Sequence, residues 1–322
     1  MPTQIPYSLA KFYIPTIDIA PYFISPGSTT SLKIINQVRE AELQDDVFAA
    51  SEKLFGLDMS EKLKLDKSNS VGDSGRGYEV IGNQGLQEGT LPDLKEGFYI
   101  GKEISATDPR VLNNAFLIGP NQWPPTHLIP SPPFREPMEE YYDRMLNLCF
   151  AILDILAATL PYGPDVFASF ISNDPVASIR LLHYPPDTST DDRQLGAGAH
   201  TDFGAITLLL QDETGGLQVF DSSDDEWVDL KPRRDAYVVN VGDMLQMWTG
   251  GRYKSGLHRV INKGGKDRYS VPFFFDGNID CVLSPLDGSG GEGDALTVEG
   301  HMRERFASTF GRGRKDEVKL EA

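Results

Sequence analysis

Cysteine is scarce: the 322 residues hold two, Cys149 and Cys281. That excludes a disulfide-stapled secreted scaffold and any zinc site built from cysteine alone. Positive charge is also in short supply. Thirty Lys and Arg stand against 47 Asp and Glu, a formal net charge of −17. Nucleic acid and anionic membrane surfaces both demand basic patches that neutralise phosphate, so neither is an expected partner. Long apolar runs are missing. The most apolar stretch, Leu146 to Leu160, is interrupted by Asp154 and is too short to cross a bilayer. Residues 1–20 show no charged segment leading into an apolar one, so no signal peptide is expected and the cytoplasm is the expected location. No fixed-period repeat is present.

What remains is globular in composition, with 40% apolar and 24% charged residues. The length suits one large domain or two intimate ones. Thirty-one Gly and 22 Pro predict many turns and therefore many short strands.

The chain opens with Ile14-Pro15-Thr16-Ile17-Asp18-Ile19, an alternating segment bounded by proline that reads as an edge strand. From Ser28 to Phe55 there is no Gly or Pro, and the composition is helical. Ile34, Val38 and Ala41 define one apolar face. Leu43, Val47, Ala50 and Leu54 define another, about half a turn around. The pattern predicts two helices meeting near Ala41–Glu42. A short charged helix or turn is expected at Ser60–Leu65, and residues 68–97 read as a long loop. Seven prolines make 120–137 irregular. Glu139–Leu160 is a strong helix with Tyr142, Met145, Leu148, Ile152 and Leu156 on one face, and Asp165–Ser172 a shorter one.

After residue 178 the pattern changes. Arg180–Tyr184, Ile206–Gln211, Leu217–Phe220, Trp227–Leu230, Tyr237–Val241, His258–Asn262 and Tyr269–Phe275 are short β-branched or aromatic runs separated by Gly-containing turns. Strands at such spacing predict a sandwich or barrel. His301–Arg312 reads as a closing helix before a charged tail.

Five histidines are present. In His200-Thr201-Asp202 two ligand types stand two residues apart, and on a strand they share a face. His258 lies on a later strand. Two histidines and one carboxylate form the facial set of non-haem Fe(II) oxygenases. Taken alone, a strand-end His200 and a core His258 would explain the same residues. Arg268 and Ser270 also share a face, and Arg offers a planar clamp for a carboxylate. An ion pair with a nearby Asp or Glu would equally account for Arg268.

The combination resembles the 2-oxoglutarate/Fe(II)-dependent dioxygenases of the isopenicillin N synthase-like group. The matching segments are Ile14–Asp18, Asp93–Phe98, Gly198–Gly204, Asn240–Asp243, Ser255–Val260 and Arg268–Ser270, in the expected order along nearly the whole chain. The resemblance implies a double-stranded β-helix, a jelly-roll core of mainly β or α+β class, flanked by helices. It implies that His200, Asp202 and His258 bind Fe(II). Arg268 and Ser270 would hold the far carboxylate of 2-oxoglutarate, with Tyr184 beside the co-substrate. An asparagine sometimes found two residues before that tyrosine is Leu182 here. The implied chemistry is oxidation of a small metabolite by O2, coupled to decarboxylation of 2-oxoglutarate. Similarity is greatest to fungal members, many of them enzymes of secondary metabolism. The implied organisation is an incomplete N-terminal dioxygenase region at 1–125, a helical linker at 126–175, the oxygenase core at 176–280 and a C-terminal segment at 281–322.

One departure stands out. Family members carry a strand ending in a His-Gly turn between the first two helices, and here Gln37–Ala41 runs straight into Glu42–Asp45. Roughly twenty residues, about one strand and its connection, are missing. An open sheet edge is the expected consequence. The loop 68–97, the 120–137 segment and the C-terminal helix are expected to line the pocket. Phe203 and Trp248 are candidate pocket aromatics that core packing would explain as well. Two other functions fit the motifs: an oxidase of the isopenicillin N synthase type that uses no 2-oxoglutarate, and an inactive jelly-roll binding protein. Succinate release separates the first, and anaerobic Fe(II) titration with 2-oxoglutarate the second.

Overall fold

The computed structural model describes residues 14–19, 30–131, 133–234, 236–289 and 296–310, with the backbone alone for 30–41. Ten strands form two antiparallel sheets. They are β1 (Gly77–Glu79), β2 (Glu96–Gly101), β3 (Val176–Tyr184), β4 (Ala197–His200), β5 (Ile206–Gln211), β6 (Leu217–Asp221), β7 (Glu226–Asp229), β8 (Val238–Val241), β9 (His258–Val260) and β10 (Arg268–Gly277). The larger sheet runs β1-β2-β3-β10-β5-β8 and the smaller β4-β9-β6-β7. This is the expected jelly-roll core.

The period of two along β10 explains the layering. Val271, Phe273 and Phe275 point outward and are fully buried beneath a helical layer. Each such side chain contributes about 1.5–3 kcal/mol of apolar burial. Arg268, Ser270, Pro272, Phe274 and Asp276 point the other way, into the barrel. Register sets Ser270 between Leu182 of β3 and Gln211 of β5, and Phe274 between Ser178 and Thr207. The inward row of β10 is therefore polar at both ends.

The helical layer is α1 (Thr30–Phe55) and α4 (Arg135–Ala158), both against the larger sheet. On α4, Met138, Tyr142, Met145, Cys149 and Leu153 form the buried stripe. Tyr142 packs edge-on against Phe273, and Phe150 against Phe275. The expected Leu148, Ile152 and Leu156 are half-buried at the margin. The short helices α2 (Met59–Lys64), α3 (Pro109–Leu112) and α5 (Asp243–Trp248) fill corners, and α6 (Val298–Thr309) closes the barrel mouth.

Several expectations are corrected. The two helices expected to meet near Ala41–Glu42 are one continuous helix, α1. No Gly or Pro interrupts the segment, and Leu43, Val47, Ala50 and Leu54 anchor its second half in the core. The face formed by Ile34, Val38 and Ala41 lies outside the described side chains, and the tail after 310 lies outside the described residues. Asp165–Ser172 is a series of turns, closed mostly by i→i+3 bonds such as Ala168 to Asp165, with Phe167 and Phe170 buried against Trp248. The loop 68–97 contains β1 and the start of β2.

Ile14–Ile19 is extended but pairs with no strand among the described residues, and Ile17 is 73% exposed. An edge strand needs a neighbour, and the sheet ends at β8, which pairs with β5 alone. Val239 on β8 is 50% exposed. Gln44 of α1 donates to the Tyr237 hydroxyl at 3.0 Å, and Asp45 pairs with Arg234. The break point inferred at Ala41–Glu42 therefore lies beside this open edge.

Candidate metal centre and co-substrate site

His200 ends β4 and His258 begins β9, and the two are cross-strand partners with ring centroids 4.3 Å apart. Asp202 lies in the turn that follows β4. One ligand atom from each of the three falls within 4.8 Å of the others, and among the described residues no other His, Cys, Asp or Glu cluster does this. His200 Nδ1 bonds the Gly198 carbonyl at 2.7 Å, and His258 Nδ1 bonds the Gly256 carbonyl at 3.0 Å. Carbonyl oxygens only accept, so each Nδ1 carries a proton and each Nε2 is the ring nitrogen left to face a metal. Burial, with His258 and Lys95 nearby, holds the His200 imidazole well below its ordinary pKa and keeps it neutral. Asn240 of β8 donates to Asp202 Oδ2 at 2.9 Å, leaving Oδ1 3.8 Å from His258 Nε2. Two imidazoles and one carboxylate, converging and already oriented, fit a divalent iron with positions to spare.

The turn bearing Asp202 is held from below. Gly242 sits so close that a Cβ there would lie 2.1 Å from the Gly204 carbonyl. Asp243 N donates to Asp202 O at 2.8 Å, and Thr201 Oγ1 to Asp243 Oδ2 at 3.2 Å. Sequence reasoning quoted Asn240–Asp243 as a matching segment without finding this role. Asn240 stands on the barrel face of β8, which a period-two reading of 237–241 could have shown.

Deeper in the barrel Arg268 is 1% exposed. Nε donates to the Gly215 carbonyl at 2.6 Å, Nη1 to Ser270 Oγ at 3.3 Å and Nη2 to Gln211 Oε1 at 3.0 Å. No carboxylate among the described residues lies within ion-pair distance, so the ion-pair explanation of Arg268 fails. The guanidinium stands 4.7 Å over the Tyr184 ring. A buried cation held only by neutral groups awaits an anion. Leu182 faces Ser270 in the register and offers no polar contact there.

A cavity of about 480 Å³ opens beside His200 and Asp202. Its walls come from 66–86, from Tyr99, Phe116 and Leu117, from β3 and β10, and from α6. Phe203 lines it, whereas Trp248 is core, with Phe170 4.4 Å away. No described residue of 120–137 reaches the cavity. That segment packs Ile129 and Phe134 into the core instead, and the turn after α3 takes its place. His183 and His301 are structural: His183 is hydrogen-bonded to Glu96 and Asp267, and His301 to the Phe203 carbonyl. His127 is exposed.

Residues 175–277 match the 2OG-Fe(II) oxygenase superfamily, and residues 28–126 match the N-terminal region of non-haem dioxygenases described from morphine synthesis. The chain belongs to the 2OG-Fe(II) oxygenase superfamily. It is 50% identical to the 2-oxoglutarate-dependent dioxygenase citB of Monascus ruber, across 94% of this chain and 97% of that protein. Identity to the clavatol oxidase claD of Penicillium crustosum is 43%, over 93% and 97%. Among solved structures, a full-length Neurospora crassa protein in complex with alpha-KG and thymine superposes with a TM-score of 0.68 at 27% identity, covering 83% of each chain. A putative oxygenase of the family from Caulobacter crescentus gives 0.67 at 28%, covering 83% and 86%.

This oxygenase therefore uses Fe(II), 2-oxoglutarate and O2 to oxidise a small organic molecule. The alignment to the Monascus ruber protein runs over 323 positions yet takes in 94% of this 322-residue chain, so about twenty positions have no residue here. That is the size of the piece inferred to be missing near Ala41–Glu42. No helix of the described residues is long and apolar enough to cross a membrane.

Proposed function

We propose that His200, Asp202 and His258 hold the iron and that Arg268 and Ser270 hold the far carboxylate of 2-oxoglutarate. The observation that carries this reading is the convergence of three ligand atoms within 4.8 Å, with both Nδ1 atoms committed to backbone carbonyls. The chemistry such a centre supplies is decarboxylation of 2-oxoglutarate by O2, coupled to oxidation of a substrate C–H bond. The protein supplies position and dryness. Asn240 fixes the carboxylate ligand. Tyr184 backs the guanidinium. The cavity beside His200 and Asp202 holds the substrate next to the reacting centre.

The substrate is a compact neutral or cationic metabolite, because the net charge of −17 disfavours a polyanion. The names of the fungal relatives support a place in secondary metabolism, and the cytoplasm is the proposed location. The segments 1–125, 126–175, 176–280 and 281–322 are read as dioxygenase N-terminal region, linker, oxygenase core and C-terminal closure. The decisive experiment titrates Fe(II) and 2-oxoglutarate into the protein under nitrogen, then admits air and measures succinate. A visible charge-transfer band followed by succinate supports the reading. With neither band nor succinate, the assignment of these residues falls.

A further inference from the structure

Among the described residues most buried charges are ion-paired; Arg268 is held by neutral groups, and two further charges without an ion pair share one cavity. Lys62 pairs with Glu96, Lys95 with Asp93 and Arg180 with Glu79. Asp276, the last inward residue of β10, is 2% exposed and accepts no hydrogen bond from any described residue. Arg76, just before β1, is 3% exposed. Its Nη2 donates to the Leu117 carbonyl at 2.9 Å, its Nε is buried without a partner, and no described carboxylate lies within ion-pair distance. Both side chains line the cavity that contains His200 and Asp202.

Two glycines make room for them. A Cβ at Gly204, two residues after Asp202, would come within 2.3 Å of Asp276 Oδ1. A Cβ at Gly101 would come within 2.0 Å of Arg76 Nη2. The charges are close enough to feel each other. Burial pushes the Asp276 carboxyl up to about 7, against the pull of Arg76 and with a further push from Asp202. An unsatisfied buried carboxylate and an unsatisfied buried guanidinium are each strongly unfavourable, and a ligand that bonds both relieves both. The wall also carries a set of aromatic side chains, Tyr99, Phe116, Phe203, Phe274 and Phe306, beside polar groups that include the Glu79–Arg180 pair.

We propose that Asp276 and Arg76 read the substrate: the carboxylate accepts a hydrogen bond from a hydroxyl or N–H, and the guanidinium donates to a carbonyl beside it. The class selected is a compact, planar aromatic metabolite with a donor and an acceptor on neighbouring ring positions. This rests on the cavity being the substrate site of the oxygenase proposed above.

The test measures binding calorimetrically to the enzyme loaded with Fe(II) and 2-oxoglutarate under nitrogen. The probes are 2-quinolone, N-methyl-2-quinolone, which lacks the donor, and indole, which lacks the acceptor. Wild type should bind 2-quinolone about tenfold or more tightly than either control, the effect of one hydrogen bond to a charged group. Asp276→Leu should erase the preference over the N-methyl compound, and Arg76→Met the preference over indole. Asp276→Asn and Arg76→Lys, which keep volume and polarity, should narrow the same ratios if the bolder variants do not fold. Equal binding of the three probes by wild type, no binding of 2-quinolone at millimolar concentration, or wild-type ratios in the variants overturns the proposal. The affinity for 2-oxoglutarate is recorded in the same titrations. Its absence in wild type tells against the co-substrate assignment, while the probe ratios still decide the role of Asp276 and Arg76.

Discussion

Arg268→Lys is the most discriminating change available at the proposed co-substrate site. A guanidinium has five N–H donors. The structure spends one on Gly215, one on Ser270 and one on Gln211. The two left over stand one on each terminal nitrogen, the fork that a carboxylate accepts side by side. Lysine keeps the charge but cannot reproduce the fork, so at least one charge-assisted bond is lost, about 1.5–3 kcal/mol. The KM for 2-oxoglutarate should rise about ten- to a hundredfold. Arg268→Ala, which removes the charge as well, should raise it further. Succinate release against 2-oxoglutarate concentration measures both, with melting temperature as the control for folding. An unchanged KM in two folded variants would refute the argument that this buried cation awaits the co-substrate.

Asp202→Ala should abolish succinate formation while the chain stays folded by circular dichroism; retained turnover removes Asp202 from the metal centre. Asn240→Ala should weaken iron binding about ten- to a hundredfold, because Asp202 Oδ2 loses the side-chain amide that orients it; anaerobic Fe(II) titration reads this directly. Glu79 gives a pH test: burial raises its pKa, but Arg180 and Lys67 outweigh burial and hold it at about 2, below the ordinary 4.5. Its contribution is therefore complete above the ordinary value and is lost as pH falls towards the lowered one. The melting temperatures of wild type and Glu79→Gln should converge across that window; a gap that is constant with pH contradicts the pairing. Inserting a family-like strand between Ala41 and Glu42 should raise the melting temperature, and an unchanged or lower value argues against a missing strand.

The oxygenase half was legible because its signals are local. Ile206–Gln211 is legible as a short apolar run between turn signals, and His200, Asp202 and His258, whose types and spacing alone left a structural explanation open, stand out once the matching segments around them are read together. β1 and β4 were not legible: Gly77-Tyr78-Glu79 and Ala197-Gly198-Ala199-His200 have little strand propensity and are strands because their neighbours pair with them. α5 was missed because six residues give too little periodicity. The phase break in Ser28–Phe55 was real as a pattern but not as a kink, since nothing in the backbone interrupts the helix. Asp276 and Arg76 were silent in the sequence. Nothing in FFDG or in GRGY says that the partners usual for a buried charge will be absent.

The open edge and the metal centre are one problem rather than two. Among the described residues β8 pairs with β5 alone. The strand carries Asn240, the residue that fixes Asp202, and it leads into Gly242 and Asp243, which brace the turn on which Asp202 sits. Edge strands open at a lower free-energy cost than central ones. Each opening of β8 would release Asp202, the carboxylate proposed to bind the iron, although Asp202 itself lies on another segment. On the proposed assignment, loss of a neighbouring strand would reach iron affinity through Asn240 and the turn braced by Gly242 and Asp243, while Arg268 and Ser270, on the central strand β10 between β3 and β5, stay in place. Restoring the neighbour should tighten iron more than it tightens 2-oxoglutarate.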